Sequence, residues 1–187
     1  MRIVGGRHRG RPLGAPEGRA VRPTADRTRE SLFNILCQGR IAVEDGNPLI
    51  DAQVLDAFAG TGALGLEALS RGAAGATFME NQAASLTACR ANVKALGEEG
   101  ASRIIQCNVL QPPPAREACS IVLMDPPYNQ DLPTPALIAL NKAGWIAPQA
   151  IVVVELMAQE NFSIPEGFEE LDNRRYGKAR LVFLRRL

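Results

Sequence analysis

The stretch from Val54 to Glu80 constrains the fold more than any other part of this 187-residue chain. Val54 to Phe58 reads as a buried strand that is cut off by Gly60-Thr61-Gly62; Leu64 to Ser70 then has helical character and stops at Gly72. A second apolar segment, Ala76-Thr77-Phe78-Met79, follows at once and ends on Glu80. Strands joined through a helix lie parallel, because only a crossover returns the chain to the same edge in the same direction. The pattern continues with a helix at 83–96 ended by Gly97, strands at 103–108 and 120–125, a helix at 134–143 and a strand at 150–156. Such alternation requires an α/β, doubly wound, mostly parallel sheet with both faces covered. Phe168 to Arg175 and Arg180 to Leu184, flanking Tyr176-Gly177-Lys178, read as a C-terminal hairpin on the antiparallel edge. Ahead of the sheet, Thr24 is placed to cap a helix running to about Gln38, with Gly39 as its stop.

Gly60, Gly62 and Gly65 have the spacing of a nucleotide-binding turn, where small residues let backbone approach a ligand at a helix N-terminus. Glu80 lies about twenty residues beyond the first of them, where a carboxylate that accepts from ribose hydroxyls is expected. A nicotinamide dinucleotide and S-adenosylmethionine both fit that pattern. Asp56 favours the second, since a carboxylate near the turn suits a ligand bearing an ammonium and is awkward beside a pyrophosphate.

The second informative motif is Asp125-Pro126-Pro127-Tyr128, directly after the apolar run Ile121-Val122-Leu123-Met124. Two successive prolines end the strand and fix the backbone, so the Asp125 carboxylate and nearby carbonyls form a rigid acceptor cluster at the sheet edge. Acceptors of that kind orient an exocyclic base amine, whose lone pair is otherwise delocalised into its ring, and Tyr128 supplies an aromatic face for stacking. The only histidine is His8, which leaves little room for Ser-His or Cys-His chemistry.

With its N-terminal motif Arg22-Pro23-Thr24-Ala25-Asp26-Arg27-Thr28-Arg29-Glu30, the glycine turn, Glu80 and Asp-Pro-Pro-Tyr, the chain resembles the RsmD-type bacterial 16S ribosomal RNA guanine-N2 methyltransferases from residue 2 to about residue 183. The resemblance implies a seven-strand, Rossmann-like class I methyltransferase fold and S-adenosyl-L-methionine as donor. It implies transfer to the N2 amine of one guanine in 16S rRNA, within a partly or fully assembled small subunit. Carried over by position, Ala59, Gly60, Thr61 and Gly62 would hold the methionine end with Asp56 close by, and Glu80 the ribose. Asn108 and Val109 would lie by the adenine, and Asp125, Pro126, Pro127 and Tyr128 would hold the target base.

Net charge is +1, but its distribution is uneven. Residues 1–40 hold nine arginines against three acids, a balance of +6, while the remaining twelve basic and seventeen acidic residues carry −5. That is an electrostatic footprint for phosphates, with Arg7, Arg9, Arg11, Arg22, Arg27 and Arg29 as the candidate RNA contacts. The glycine- and arginine-rich residues 1–20 read as an arm or short hairpin that orders fully only on RNA. The chain divides into a basic arm and helix, residues 1–45, and a methyltransferase core, residues 46–187. Without a long apolar run or a signal-like start it is expected to be a cytoplasmic monomer with no membrane association. Cys37, Cys89, Cys107 and Cys119 are too widely spaced for paired ligation, so no metal is expected and the thiols read as reduced packing residues.

Adenine-N6 methylation of nucleic acid and glutamine methylation of a protein remain open, because both chemistries use a Pro-Pro-aromatic loop. So does a ribosome-assembly factor that keeps the fold without catalysis, although Asp56, Glu80 and Asp125 would then have no use. A nicotinamide-dependent oxidoreductase would lack a proton donor beyond His8.

Overall fold

The computed structural model describes residues 1–15, 23–38, 41 and 46–187. Helix α1 (Pro23–Gln38) precedes β1 (Gln53–Ala57), α2 (Ala63–Ser70), β2 (Gly75–Glu80), α3 (Ala83–Leu96), β3 (Ser102–Gln106), β4 (Cys119–Met124), α4 (Pro133–Lys142), β5 (Ile146–Met157), β6 (Phe168–Tyr176) and β7 (Ala179–Arg186). The seven strands form one sheet in the order β3-β2-β1-β4-β5-β7-β6. β1 to β5 are mutually parallel, and β7 runs antiparallel to both β5 and β6. Strand order reverses between β1 and β4, and a crevice at such a switch point is where open α/β sheets bind ligands.

The expected elements are present, with boundaries moved by one or two residues at most ends. β5 differs more, beginning at Ile146 rather than at 150. Its first part is separated by a register shift against β4, where Cys119 pairs with Ile146 but Ile121 pairs with Ile151. Pro148 lacks the ladder donor and Gln149 has φ 61°, so the strand reads from sequence as starting only after them. A short 3-10 turn, Glu99–Ala101, leads into β3.

Side chains alternate between two cores. Val54, Phe78, Leu123 and Val153 face the layer of α1, α2 and α3, whereas Leu55, Met79, Met124 and Val154 face that of α4. Ile3, Leu13, Leu32, Phe33 and Leu36 belong to the first core, so α1 and the N-terminal residues share the interior of the sheet.

Of the two expected forms, an arm or a short hairpin, residues 1–15 take the second, packed on the protein itself, while residues 16–20 lie outside the described residues. Residues 1–15 form a hairpin-like turn, with Arg2 bridged to Pro12, docked on the ends of α2 and α3. Val4 N donates to the buried Glu67 carboxylate at 2.8 Å, Arg7 N to Ser70 O at 2.8 Å, and Ser70 Oγ to Gly5 O at 2.6 Å. Gly6 has φ 73°, and a Cβ there would lie 1.9 Å from Ser70 O, so only glycine permits this approach. Buried apolar anchors and satisfied backbone groups hold the segment without a partner.

Candidate active site

The alternation that builds the cores also places four carboxylates together. Asp56, Glu80, Asp125 and Glu155 each follow a residue of the α4-side core, so all four emerge on the opposite face, at the carboxyl ends of β1, β2, β4 and β5. Across the sheet they run Glu80, Asp56, Asp125, Glu155. They flank the switch point.

On the β1–β2 side, the turn after β1 is tied down by Ala59 N donating to Met79 O at 2.9 Å and Gly62 N to Ala59 O at 2.7 Å. Phe58, Gly60 and Gly62 all have positive φ, and a Cβ on Gly62 would lie 2.8 Å from Cys89 Sγ. Glu80 organises the edge of this turn: Oε2 accepts from Gly60 N at 2.9 Å, while Oε1 accepts from Asn81 N at 2.8 Å and Gln82 N at 2.7 Å. A carboxylate has about four acceptor sites, so capacity remains for a ligand hydroxyl. Beside Glu80, a small cleft is lined by Phe58, Asn81, Cys107, Asn108 and Val109. The structure thus brings Glu80, Asn108 and Val109 together; Asn108 Oδ1 accepts from Leu110 N at 3.0 Å, which fixes the backbone turn after β3.

Asp56 is 1% exposed, and its Oδ2 accepts from Gly65 N at 2.8 Å. Gly65 lies in the first turn of α2, where amides have no partner within the helix, so Asp56 caps α2 from behind the glycine turn. Burial pushes its carboxyl up to about 7, the Gly65 N–H opposes the rise and the Glu80 charge adds to it. Asp56 is therefore an interior support of the turn rather than a residue on the open wall of the crevice.

On the β4–β5 side, Asp125 opens to solvent, Pro126 is buried, Pro127 is exposed and Tyr128 is half-buried. The Tyr128 hydroxyl donates to Glu155 Oε1 at 2.9 Å. Asn129, with φ 55°, donates from its amide to Glu160 Oε1 at 3.1 Å, and Glu160 Oε2 accepts from Met157 N at 3.2 Å. The loop after β4 is thereby pinned to β5 at two points. The Asp125 carboxyl is raised above the usual aspartate range by the protein packed around it and by the carboxylates of Glu155 and Asp56. Glu155 is also raised, by burial, while the Tyr128 hydroxyl and the charge of Arg29 offset part of that.

The arginines separate into two groups. Arg29 is 4% exposed and donates to Asp26 Oδ1 at 2.9 Å and to the carbonyl of Arg2, with the buried Glu67 carboxylate 3.6 Å from its Nε. It is an interior cation that joins the N-terminal segment to α1 and α2. Arg7 is half-exposed and holds Glu98 at 2.6 Å; Arg11 reaches Ala95 O at 2.7 Å. Arg9 and Arg27 are exposed, and Arg22 lies outside the described residues. Glu98 is itself held below the ordinary carboxylate range because Arg7 and His8 outweigh its burial. Asn92 ties the base of the N-terminal segment to the glycine turn: its Nδ2 donates to Gly14 O at 3.0 Å and to Thr61 O at 2.9 Å.

Sequence reading missed Glu155, Glu160, Phe58 and Asn92. Glu155 left a signal, the acid that closes the apolar run Ile151 to Val154; Glu160 and Asn92 left none, because their partners are remote in sequence. Burial pushes the Cys89 and Cys119 thiols up to about 12, consistent with inert packing residues. Among the described residues no group of three or more His, Cys, Asp or Glu is arranged to hold a metal ion.

A row of carboxylates around an open backbone turn suits a ligand carrying positive charge and ribose hydroxyls, and would repel a pyrophosphate. A Cβ on Gly60 would meet nothing closer than 4.0 Å, so the backbone edge there is accessible to such a ligand. S-adenosylmethionine, with its sulfonium, ammonium and ribose, fits these residues.

Comparison with known proteins points the same way. "Ribosomal RNA small subunit methyltransferase D" of Escherichia coli K12 is 40% identical over 156 residues, covering 83% of this chain and 74% of that protein. The protein of the same name from Haemophilus influenzae is 33% identical over 182 residues, covering 95% of this chain and 89% of the relative. The solved structure of yhhF from Escherichia coli superposes with a TM-score of 0.81 at 36% identity, covering 100% of this chain and 97% of that one. Fold and relatives together define a methyltransferase of the doubly wound class. Within that class, the chain belongs to the family described as Conserved hypothetical protein 95, which matches residues 1–185.

Proposed function

We propose that this protein transfers a methyl group from S-adenosylmethionine to the exocyclic N2 amine of a specific guanine in 16S ribosomal RNA. The observation that carries the reading is the pairing of the Asp125-Pro126-Pro127-Tyr128 loop with Glu155, one strand away from the glycine turn. A rigid set of acceptors and an aromatic ring beside the glycine turn supports an amine as the methyl acceptor. The names of the Escherichia coli and Haemophilus influenzae relatives support ribosomal RNA of the small subunit as substrate.

The cofactor, when bound, supplies a methyl group activated on a cationic sulfur. Glu80 would take a ribose hydroxyl with its one remaining acceptor site, the turn from Ala59 to Gly62 would hold the methionine end, and Asn108 and Val109 would border the base. Asp56 sets that turn by capping α2. Tyr128 stacks on a base that has left its helix, since a stacked and paired amine cannot reach the sheet edge. Asp125 accepts from the amine most strongly as positive charge develops on nitrogen. It receives, or passes to water, the proton released once the N–C bond has formed and the C–S bond has broken with its electron pair left on sulfur.

Exposed Arg9, Arg11 and Arg27, with Arg7 at the hairpin and Arg22 before α1, contact the phosphates of rRNA in a partly or fully assembled subunit. Residues 1–45 serve as the RNA-contacting part and residues 46–187 as the methyltransferase core. The protein works as a cytoplasmic monomer; none of its described helices is long and apolar enough to cross a membrane. Mass spectrometry of rRNA nucleosides from a deletion strain tests the reading. Loss of one N2-methylguanosine from 16S rRNA is expected, and an unchanged nucleoside profile would refute it.

A further inference from the structure

The carboxylate of Asp125 and the second oxygen of Glu155 accept no hydrogen bond from any described residue, although each lies at the mouth of the crevice. Met124 pairs with Val154 in the β4–β5 ladder, so the next residues, Asp125 and Glu155, stand side by side at strand ends about 4.8 Å apart. Both emerge on the same face. Glu155 is anchored through Oε1 by the Tyr128 hydroxyl at 2.9 Å, which holds the carboxylate in register with the ring that stacks on the base. Glu160 fixes the loop from the other side through Asn129 N at 3.1 Å. The loop thus presents two neighbouring acceptors with the ring beside them.

Two adjacent acceptors demand two adjacent donors. The pairing edge of guanine offers them, N1–H next to the N2 amine. Adenine carries a lone pair at N1 next to its amine, and a carboxylate facing that lone pair is both repelled and left unsatisfied. A glutamine amide offers one donor group flanked by an acceptor. We propose that Glu155 is a specificity-determining residue that accepts from the N1–H of the target guanine while Asp125 takes the N2 amine. This rests on the guanine-N2 reading above and extends it to how the base is selected.

The test is single-turnover methylation of target RNA made with either guanine or 2-aminopurine at the modified position. 2-Aminopurine keeps the N2 amine and lacks the N1–H. Wild-type protein is expected to methylate the guanine RNA roughly tenfold to a hundredfold faster, the loss expected for one hydrogen bond to a charged group. In Glu155→Gln the side-chain amide can accept from guanine or donate to N1 of 2-aminopurine, so the preference should fall to within about threefold. A variant that slows both substrates equally and keeps the wild-type ratio would show that Glu155 only props Tyr128, and would overturn the proposal. Equal rates on both substrates for the wild-type protein would overturn it too, whether or not the variant folds. If wild type makes no N2-methylguanosine on the guanine RNA, the underlying reading has failed, and the proposal fails with it.

Discussion

The buried carboxylate of Asp56 accepts a hydrogen bond from Gly65 N at 2.8 Å, which couples the end of β1 to the first turn of α2 across the glycine loop. Burial raises this carboxyl to about 7, so the folded protein holds the proton more tightly than the unfolded chain does. The resulting stability is fully present below the ordinary aspartate range near pH 4 and is lost as pH rises through about 7. The ceiling is about 4 kcal/mol. Asp56→Asn keeps an acceptor for Gly65 and cannot ionise, so urea melts of wild type and variant between pH 4 and 8 should diverge, with the variant the less pH-sensitive. Parallel curves would mean that Asp56 does not titrate in this range.

Glu80 uses both oxygens on backbone amides of the two loops it joins. Glu80→Gln retains one accepting oxygen and turns a donor toward amides that also donate, so even this conservative change should disturb the turn. Calorimetric titration with S-adenosylhomocysteine should show affinity weaker by about 1.5 to 3 kcal/mol in Glu80→Ala. Unchanged affinity would remove Glu80 from the cofactor site.

Asp125→Ala should cut turnover by about a hundredfold or more with nearly intact cofactor affinity, the scale seen for preorganised polar groups. Tyr128→Phe keeps the stacking ring but breaks the bond to Glu155; loss of one buried hydrogen bond, about 0.5 to 1.5 kcal/mol, predicts a several-fold loss of rate. Tyr128→Ala should be far more damaging. Near-normal single-turnover rates in Asp125→Ala would leave the loop a structural element.

Arg29 and the exposed arginines should respond in opposite ways. Removing Arg29 releases Asp26 and the Arg2 carbonyl and takes away one of the two cations beside the buried Glu67, which keeps Arg71 at 2.8 Å, so the expected cost is about 1 to 3 kcal/mol. Arg29→Ala should therefore unfold at a lower denaturant concentration than wild type. Arg9→Ala with Arg27→Ala should leave stability unchanged and lower the log-log salt slope of RNA binding by about 1.4 to 1.8, at 0.7 to 0.9 per phosphate contact. A salt slope equal to that of wild type would exclude these two residues from the RNA interface.

The sequence alone determined the sheet's class and most of its elements, because those depend on local patterns. The same pattern recurs near the carboxyl ends of four strands, Val54-Leu55-Asp56, Phe78-Met79-Glu80, Leu123-Met124-Asp125 and Val153-Val154-Glu155. Two apolar residues followed by an acid put the acid on the face opposite α4 near the carboxyl end of a strand, and three of the four were legible as site residues through the glycine turn and the paired prolines beside them. Glu155 has the same signature with no motif attached. Only the β4–β5 register reveals it as the neighbour of Asp125. The N-terminal segment shows the same limit. Glycine and arginine content suggests an arm or short hairpin without showing what it packs on, whereas Gly6 against Ser70, Val4 on Glu67 and Arg7 on Glu98 fasten it to residues far along the chain. Tertiary structure also moved Arg29 from the expected RNA surface into the interior and Asp56 from the cofactor wall to a helix cap. Propensity and spacing encode what a segment becomes, whereas the partner of a buried charge is set by which distant segments pack against it, and that information is spread over the whole core.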